Sequence, residues 1–176
     1  MTHTPTAKKL AFWGSWGLAG PAHHTMSESP PHSATRIKRA LADAGFEVFR
    51  SRGEEIVLAE RPRENLIMDS GVRLRVGDAF EIRIVLRAQK ADFPNEDESH
   101  LFERVRRLAA PVVSGGFAEV GTAVTPVMDP SDAMHTLDTF YEVTYAKDAR
   151  ELDDALRELK LALGFEKRAE AKPSAS

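Results

Sequence analysis

The chain has 176 residues, a formal net charge of −3 and no cysteine. That length fits one domain with room for a tail, and a composition of 42% hydrophobic and 29% charged residues excludes wholesale disorder. The missing cysteine excludes a disulfide framework, a thiol nucleophile, an iron–sulfur cluster and a cysteine zinc site. No stretch reaches the roughly 18 apolar residues of a spanning helix, and the near-neutral charge argues against a dedicated nucleic-acid binder.

Residues 1–32 carry no helical or alternating period and are punctuated by Gly and Pro. They read as a disordered leader or as an extension upstream of a true start at Met26. Lys8-Lys9 followed by Leu10–Ala22 offers the alternative of an export signal. Residues 33–165 read as a single α+β domain and 166–176 as a flexible tail.

Within the domain, Ile37, Ala40, Leu41 and Ala44 fall on one helical stripe, with Ser33 as cap and Gly45 as stop. Phe46–Ser51 and Glu55–Glu60 form a hairpin around Arg52-Gly53, closed by Pro62. Asn65–Met68 suggests a short strand before a turn at Asp69-Ser70-Gly71.

Val72–Val76 and Phe80–Leu86 alternate apolar and charged residues on either side of Gly77-Asp78-Ala79. Only an odd loop keeps one face apolar, because a one-residue slip inverts every side chain. The expected register is Val76 with Phe80, Leu74 with Ile82, Arg75 with Glu81 and Arg73 with Arg83.

Asn95 and Glu98 have capping-box spacing before a second helix with the stripe Leu101, Val105, Leu108 and Ala109. Pro111 should end or kink that helix near Ala110, and Ser114-Gly115-Gly116 should stop it. Two strands follow, Phe117–Val127 and Leu137–Ala146. A third helix is expected from Asp148–Glu151 spacing and the stripe Leu152, Leu156, Leu159 and Leu163, with Leu156 at its buried centre and Gly164 as its cap. Helices are not interleaved one per strand, so the expected class is α+β, an antiparallel sheet with three helices in the order α-β(3–5)-α-β-β-α.

No phosphate-loop, dinucleotide, zinc-protease or nucleophile-elbow motif is present. Ser114-Gly115-Gly116 follows a helix and so reads as a C-cap, not a phosphate cradle. His23-His24, His100 and His135 read as surface histidines; a facial metal site with carboxylates is the sharper alternative for His100 and His135. Glu54-Glu55, Asp97-Glu98 and Asp153-Asp154 sit at turns and helix starts, where negative charge is favoured without catalysis. No catalytic, cofactor or metal residue is assigned. Arg73, Arg75, Arg83 and Arg87 should share one sheet face and are the candidate partner-binding residues. Strand solubilisation, with Glu81 pairing Arg75, is the plainer account.

The order of elements, mapped onto Ser33–Ala44, Phe46–Ala88, Glu98–Ala110, Phe117–Ala146 and Ala149–Leu163, resembles the type III secretion chaperone-like fold, which includes the bacterial YbjN-like proteins. The resemblance implies a non-enzymatic protein-binding module, chaperone- or adaptor-like, often a homodimer, without a cofactor, and a cytoplasmic location. Two alternatives stand beside it. One is an enzyme or small-ligand binder with a scattered site; the other is a nucleic-acid binder using the arginine face.

Overall fold

The computed structural model describes residues 34–170, with side chains described through Phe165; the leader, its Ser33 cap and residues 171–176 lie outside the described residues. Ten residues from Ala34 to Asp43 form α1 and bury Ile37 and Leu41. Gly45, at φ 84°, ends it as the left-handed stop that a Cβ would disfavour. Four antiparallel strands follow: β1 (Val48–Arg52), β2 (Glu55–Arg63), β3 (Leu66–Val76) and β4 (Phe80–Gln89). After a short 3₁₀ turn at Lys90–Asp92 come α2 (Glu98–Leu108), α3 (Ala110–Ser114), β5 (Ala118–Asp129), β6 (Asp132–Ala149) and α4 (Leu152–Glu170). All six strands form one sheet in the order β1-β2-β3-β4-β6-β5. The class is α+β as expected, with four helices among the described residues where three were expected.

The register of β3 with β4 is the one parity required: Val72 pairs Ile84, Arg73 pairs Arg83, Leu74 pairs Ile82, Arg75 pairs Glu81 and Val76 pairs Phe80. This alternation puts Ile56, Leu58, Val72, Leu74, Phe80, Ile82, Ile84, Leu86, Val143 and Tyr145 on one face, in a single buried cluster with the helices. α4 crosses β3, β4 and β6, and α2 crosses β4 and β6.

Several local expectations are corrected. Pro62 does not close a unit, and Asp69-Ser70-Gly71 is not a turn: β2 runs on to Arg63 and β3 is continuous from Leu66. The register of β2 with β3 shifts between Val57 and Ala59, so the Asp-Ser-Gly triplet is a bulge. Gly71 takes φ 74° there, and the buried Ser70 hydroxyl donates to the Leu58 carbonyl at 2.9 Å and accepts from the Val72 amide at 3.2 Å. The cap of α2 is Asp97 rather than Asn95; its carboxylate accepts from the His100 amide at 3.0 Å. Pro111 lies in the first turn of α3, after the break at Ala109, where its missing N–H costs nothing. The buried stripe runs Leu101, Val105, Ala109 and Val112, and Leu108 is exposed.

α4 begins at Leu152 and passes through Gly164 to Glu170, so Gly164 is no cap and the helix takes in the start of the expected tail. Its buried residues are Ala155, Leu159 and Ala162; Leu156 is half-buried at the flank. Phe165 explains the extra turn: its ring meets Phe117 edge-on with centroids 6.4 Å apart, and it fills the space that a Cβ on Gly115 would need.

Candidate protein-interaction surfaces

Because side chains alternate along each strand, the second face of the sheet carries the residues skipped by the core. One row across it reads Arg50, Val57, Arg73, Arg83, Ala146 and Ala118 in paired register. The next reads Arg52, Glu55, Arg75, Glu81 and Asp148. The candidate residues Arg73, Arg75, Arg83 and Arg87 therefore do share one face. Carboxylates on the same face neutralise them: Arg73 lies 3.7 Å from Glu55 and 4.0 Å from Asp69, Arg83 is 2.5 Å from Glu81, and Arg87 is 3.9 Å from Glu142. Arg75 stands opposite Glu81 in register, but its ion pair, at 3.6 Å, is with Glu54, because Arg83 holds Glu81. Val57, which stands between Arg50 and Arg73 in register, is 1% exposed, and Val85 is 6% exposed, on a face that no described helix crosses.

The other surface lies at the edge of the sheet. β5 pairs on one side only, with β6, and every residue from Ala118 to Pro126 is exposed. Val120 and Val124 are 54% and 46% exposed. Beyond the Gln89–Phe140 pair, where β4 ends, β5 and β6 continue together as a two-stranded arm carrying Met128, Met134 and Leu137; Met134 is 92% exposed. The base of the arm is fastened by Asp138, which accepts from the Gln89 side chain and from the Ala91 amide at 3.0 Å. Burial pushes the Asp138 carboxyl up, but hydrogen bonds from the Thr139 and Ala91 amides and from Gln89 outweigh it and hold the group below its ordinary value. At the root of β5, Arg106 of α2 donates to Glu119 at 2.8 Å, which lowers the Glu119 carboxyl. Burial raises the neighbouring Tyr145 phenol.

The remaining candidates do not converge. His100 lies 2.8 Å from its own helix cap, Asp97, and His135 is exposed on the arm. Among the described residues no group of three or more His, Asp or Glu is placed to hold a metal. Asp97 is a helix cap, Glu54 and Glu55 pair arginines, and Asp154 pairs Arg157 within α4. Ser114-Gly115-Gly116 ends α3, with Gly116 at φ 87°. An open cleft of about 730 Å³ lies between the β1–β2 and β3–β4 turns, lined by Ser51, Glu54, Ile56, Arg75, Asp78 and Glu81; neither His100 nor His135 lines it.

The arginines stand out in the sequence, whereas β5, expected there as the strand Phe117–Val127, does not stand out as a surface. The signal was present: Val120, Thr122, Val124, Pro126 and Met128 alternate with no Lys or Arg from 118 to 129, but exposure of an apolar strand is a tertiary fact.

No helix among the described residues is long and apolar enough to cross a membrane. No family model matches the chain, and no curated protein matches it. A solved structure of an uncharacterized protein from Methanothermobacter thermautotrophicus aligns over 77% of this chain and 92% of its own, at 12% identity and a TM-score of 0.45, a likeness too slight to carry an argument.

Proposed function

We propose that this chain is a non-enzymatic protein-interaction module, chaperone- or adaptor-like in the manner of the YbjN-like proteins, acting in the cytoplasm without a cofactor. The observation that carries this reading is the β5 edge: a twelve-residue strand with one free side, exposed valines and no Lys or Arg to blunt it. Such an edge binds by strand addition, in which main-chain hydrogen bonds supply affinity and alternate side chains supply specificity. A photo-crosslinking residue in place of Val124, with the same residue in place of Lys38 on α1 as control, tests it in host extract. Protein adducts at 124 and not at 38 are expected. Adducts at neither 124 nor 83 would sink the reading.

A second reading places an acidic partner on Arg73, Arg75, Arg83 and Arg87, and Arg75, half-exposed beside Glu54, favours it. It predicts adducts at position 83 that vanish with raised salt, since exposed charges act through screened attraction. Retardation of random DNA or RNA, falling steeply with salt, would favour nucleic acid instead.

A further inference from the structure

We propose that the β5 edge takes an extended apolar segment of another protein, one that carries Lys or Arg at the end lying along the β5–β6 arm. The inference rests on reading β5 as the docking edge and names the chemistry of its partner. β5 keeps an unbroken register with β6 from Gly121 to Val127, between the shift at Glu119–Gly121 and the one at Val127–Met128. Pro126 has no N–H to offer a ladder, which leaves Gly121–Thr125 as the stretch where an added strand pairs without a gap. Residues opposite one another in an antiparallel pair point to the same face. Thr122 and Val124 therefore share the face of Val143 and Tyr141, while Gly121, Ala123 and Thr125 share the other. Side chains this small leave room beside them for β-branched or aromatic residues of the occupant. So short a ladder supplies little affinity by itself, and side-chain chemistry has to select among partners.

Charge makes that selection. From Ala118 to Ala146 there are five carboxylates, Glu119, Asp129, Asp132, Asp138 and Glu142, and no Lys or Arg. The whole chain carries only −3, so the rest of it is net positive and the negative excess sits on this one hairpin. Two of the five are answered from inside the fold: Arg106 holds Glu119 at 2.8 Å, and Arg87 lies 3.9 Å from Glu142. Asp138 is fastened at the base of the arm by Gln89 and the Ala91 amide. Asp129 and Asp132 remain, at the turn of the arm. Among the described residues their hydrogen bonds come from uncharged donors, Ser131 and the Met134 amide, and no ion pair reaches them. Beside them Met128 and Met134 are exposed, and unbranched thioether side chains adapt to apolar residues of varied shape. An acidic segment would bring like charges together here, and a neutral one would gain nothing from the carboxylates. The opposite edge discriminates in the reverse sense: β1 has five residues and carries Arg50 and Arg52.

The test uses the full chain with the photo-crosslinking residue in place of Val124, and synthetic biotinylated peptides of alternating Val and Thr. One peptide carries two lysines at each end, a second carries two glutamates at each end, and a third has the lysines and N-methyl groups on its internal amides. At physiological salt the lysine peptide is expected to give adducts at least ~10-fold above the glutamate peptide. The N-methylated peptide should give almost none, because it cannot add to the ladder. The preference for lysine should fall below ~3-fold in Asp129→Asn/Asp132→Asn, while Glu151→Gln/Asp153→Asn, beside α4, leaves it unchanged. Equal adducts from the lysine and glutamate peptides overturn the proposal, and so does a lysine preference that survives Asp129→Asn/Asp132→Asn. If those equal adducts vanish on N-methylation, strand addition at β5 stands and only the partner's chemistry is refuted. Adducts from no peptide overturn it too, and with none in host extract the docking edge falls as well. Both tryptophans, Trp13 and Trp16, precede the described residues, so their emission reports on the chain's own N-terminal segment. A blue-shifted emission abolished by Val124→Lys would name that segment as the occupant and overturn the external partner; adducts at 124 between two copies would do the same.

Discussion

The two faces of the sheet are built from the same strands and solve burial differently. The helix-covered face removes Leu58, Leu74, Phe80, Ile82 and Ile84 from water by packing them against Leu41, Leu101, Val105 and Leu159. The open face buries only Val57 and Val85 and is otherwise a lattice of arginines neutralised by Glu55, Asp69, Glu81 and Glu142. The first solution places many carbon contacts in a packed interior; the second sets two apolar side chains among ion pairs. Alternation in sequence is the same in both cases, so two-faced burial need not mean two packed layers.

The contrast can be broken most forcefully from the helix side. Leu159→Ala should cost about 2–5 kcal/mol in chemical denaturation, since the side chain is fully buried, whereas Leu156→Ala, at the half-buried flank, should cost clearly less. Equal losses would mean that the helix is rotated from the position described. Ser70→Ala tests the bulge that lets β3 stay continuous. It removes the donor to the Leu58 carbonyl and the acceptor for the Val72 amide, and a loss of about 1–3 kcal/mol is expected, with the β3 amides exchanging faster.

Away from both faces, Asp97→Ala should lower the melting temperature at neutral pH. The His100 amide, then Ser99 and the His100 ring, hold the Asp97 carboxyl at about 2 against an ordinary 3.8. The folded value lies below the unfolded one, so the contribution is complete above about pH 4 and disappears as pH falls toward 2. The difference between wild type and variant should close across that window; a gap that persists at pH 2 would remove the ionised cap as its cause.

On the open face, replacing Arg73, Arg75, Arg83 and Arg87 together by Ser should leave a folded domain. The pairs of exposed Arg75 and Arg87 are expected to contribute about 0–1 kcal/mol each, and those of half-buried Arg73 and Arg83 somewhat more. Unfolding of this variant would mean that the face is packed. The smallest expected effect is Arg73→Met. The Arg73 Nε is buried without a hydrogen-bond partner, so an apolar chain of similar length should change stability by less than about 1 kcal/mol, or raise it. A loss several times larger would show that the Glu55–Arg73–Asp69 cluster holds the face together.

The arginine face was legible because parity is a local property. Once Gly77-Asp78-Ala79 was read as a loop, every partner from Val76–Phe80 to Arg73–Arg83 followed. Legibility failed where one local signal serves two geometries. Asp-Ser-Gly with a left-handed glycine makes a turn or a bulge, and the choice was made by Leu58, twelve residues upstream of Ser70, whose carbonyl takes the serine hydroxyl. Gly164 usually ends a helix; here Phe165 gains a ring contact with Phe117 by continuing it. For the candidate site, the residues of one surface were visible and their ion pairs were not. Glu142 is far from Arg87 in sequence and reaches it only through the pairing of β4 with β6.

By itself, the sequence determined the class, the order of elements, the β3–β4 register and the face on which four arginines stand. Each follows from periodicity and turn chemistry within a few residues. The tertiary structure alone decided which apolar residues remain in water. Val124 alternates as correctly as Ile82, yet β4 lies inside the sheet and β5 at its edge. Strand order is set by long-range pairing, and exposure depends on what lies beside a residue in space, which no local pattern encodes.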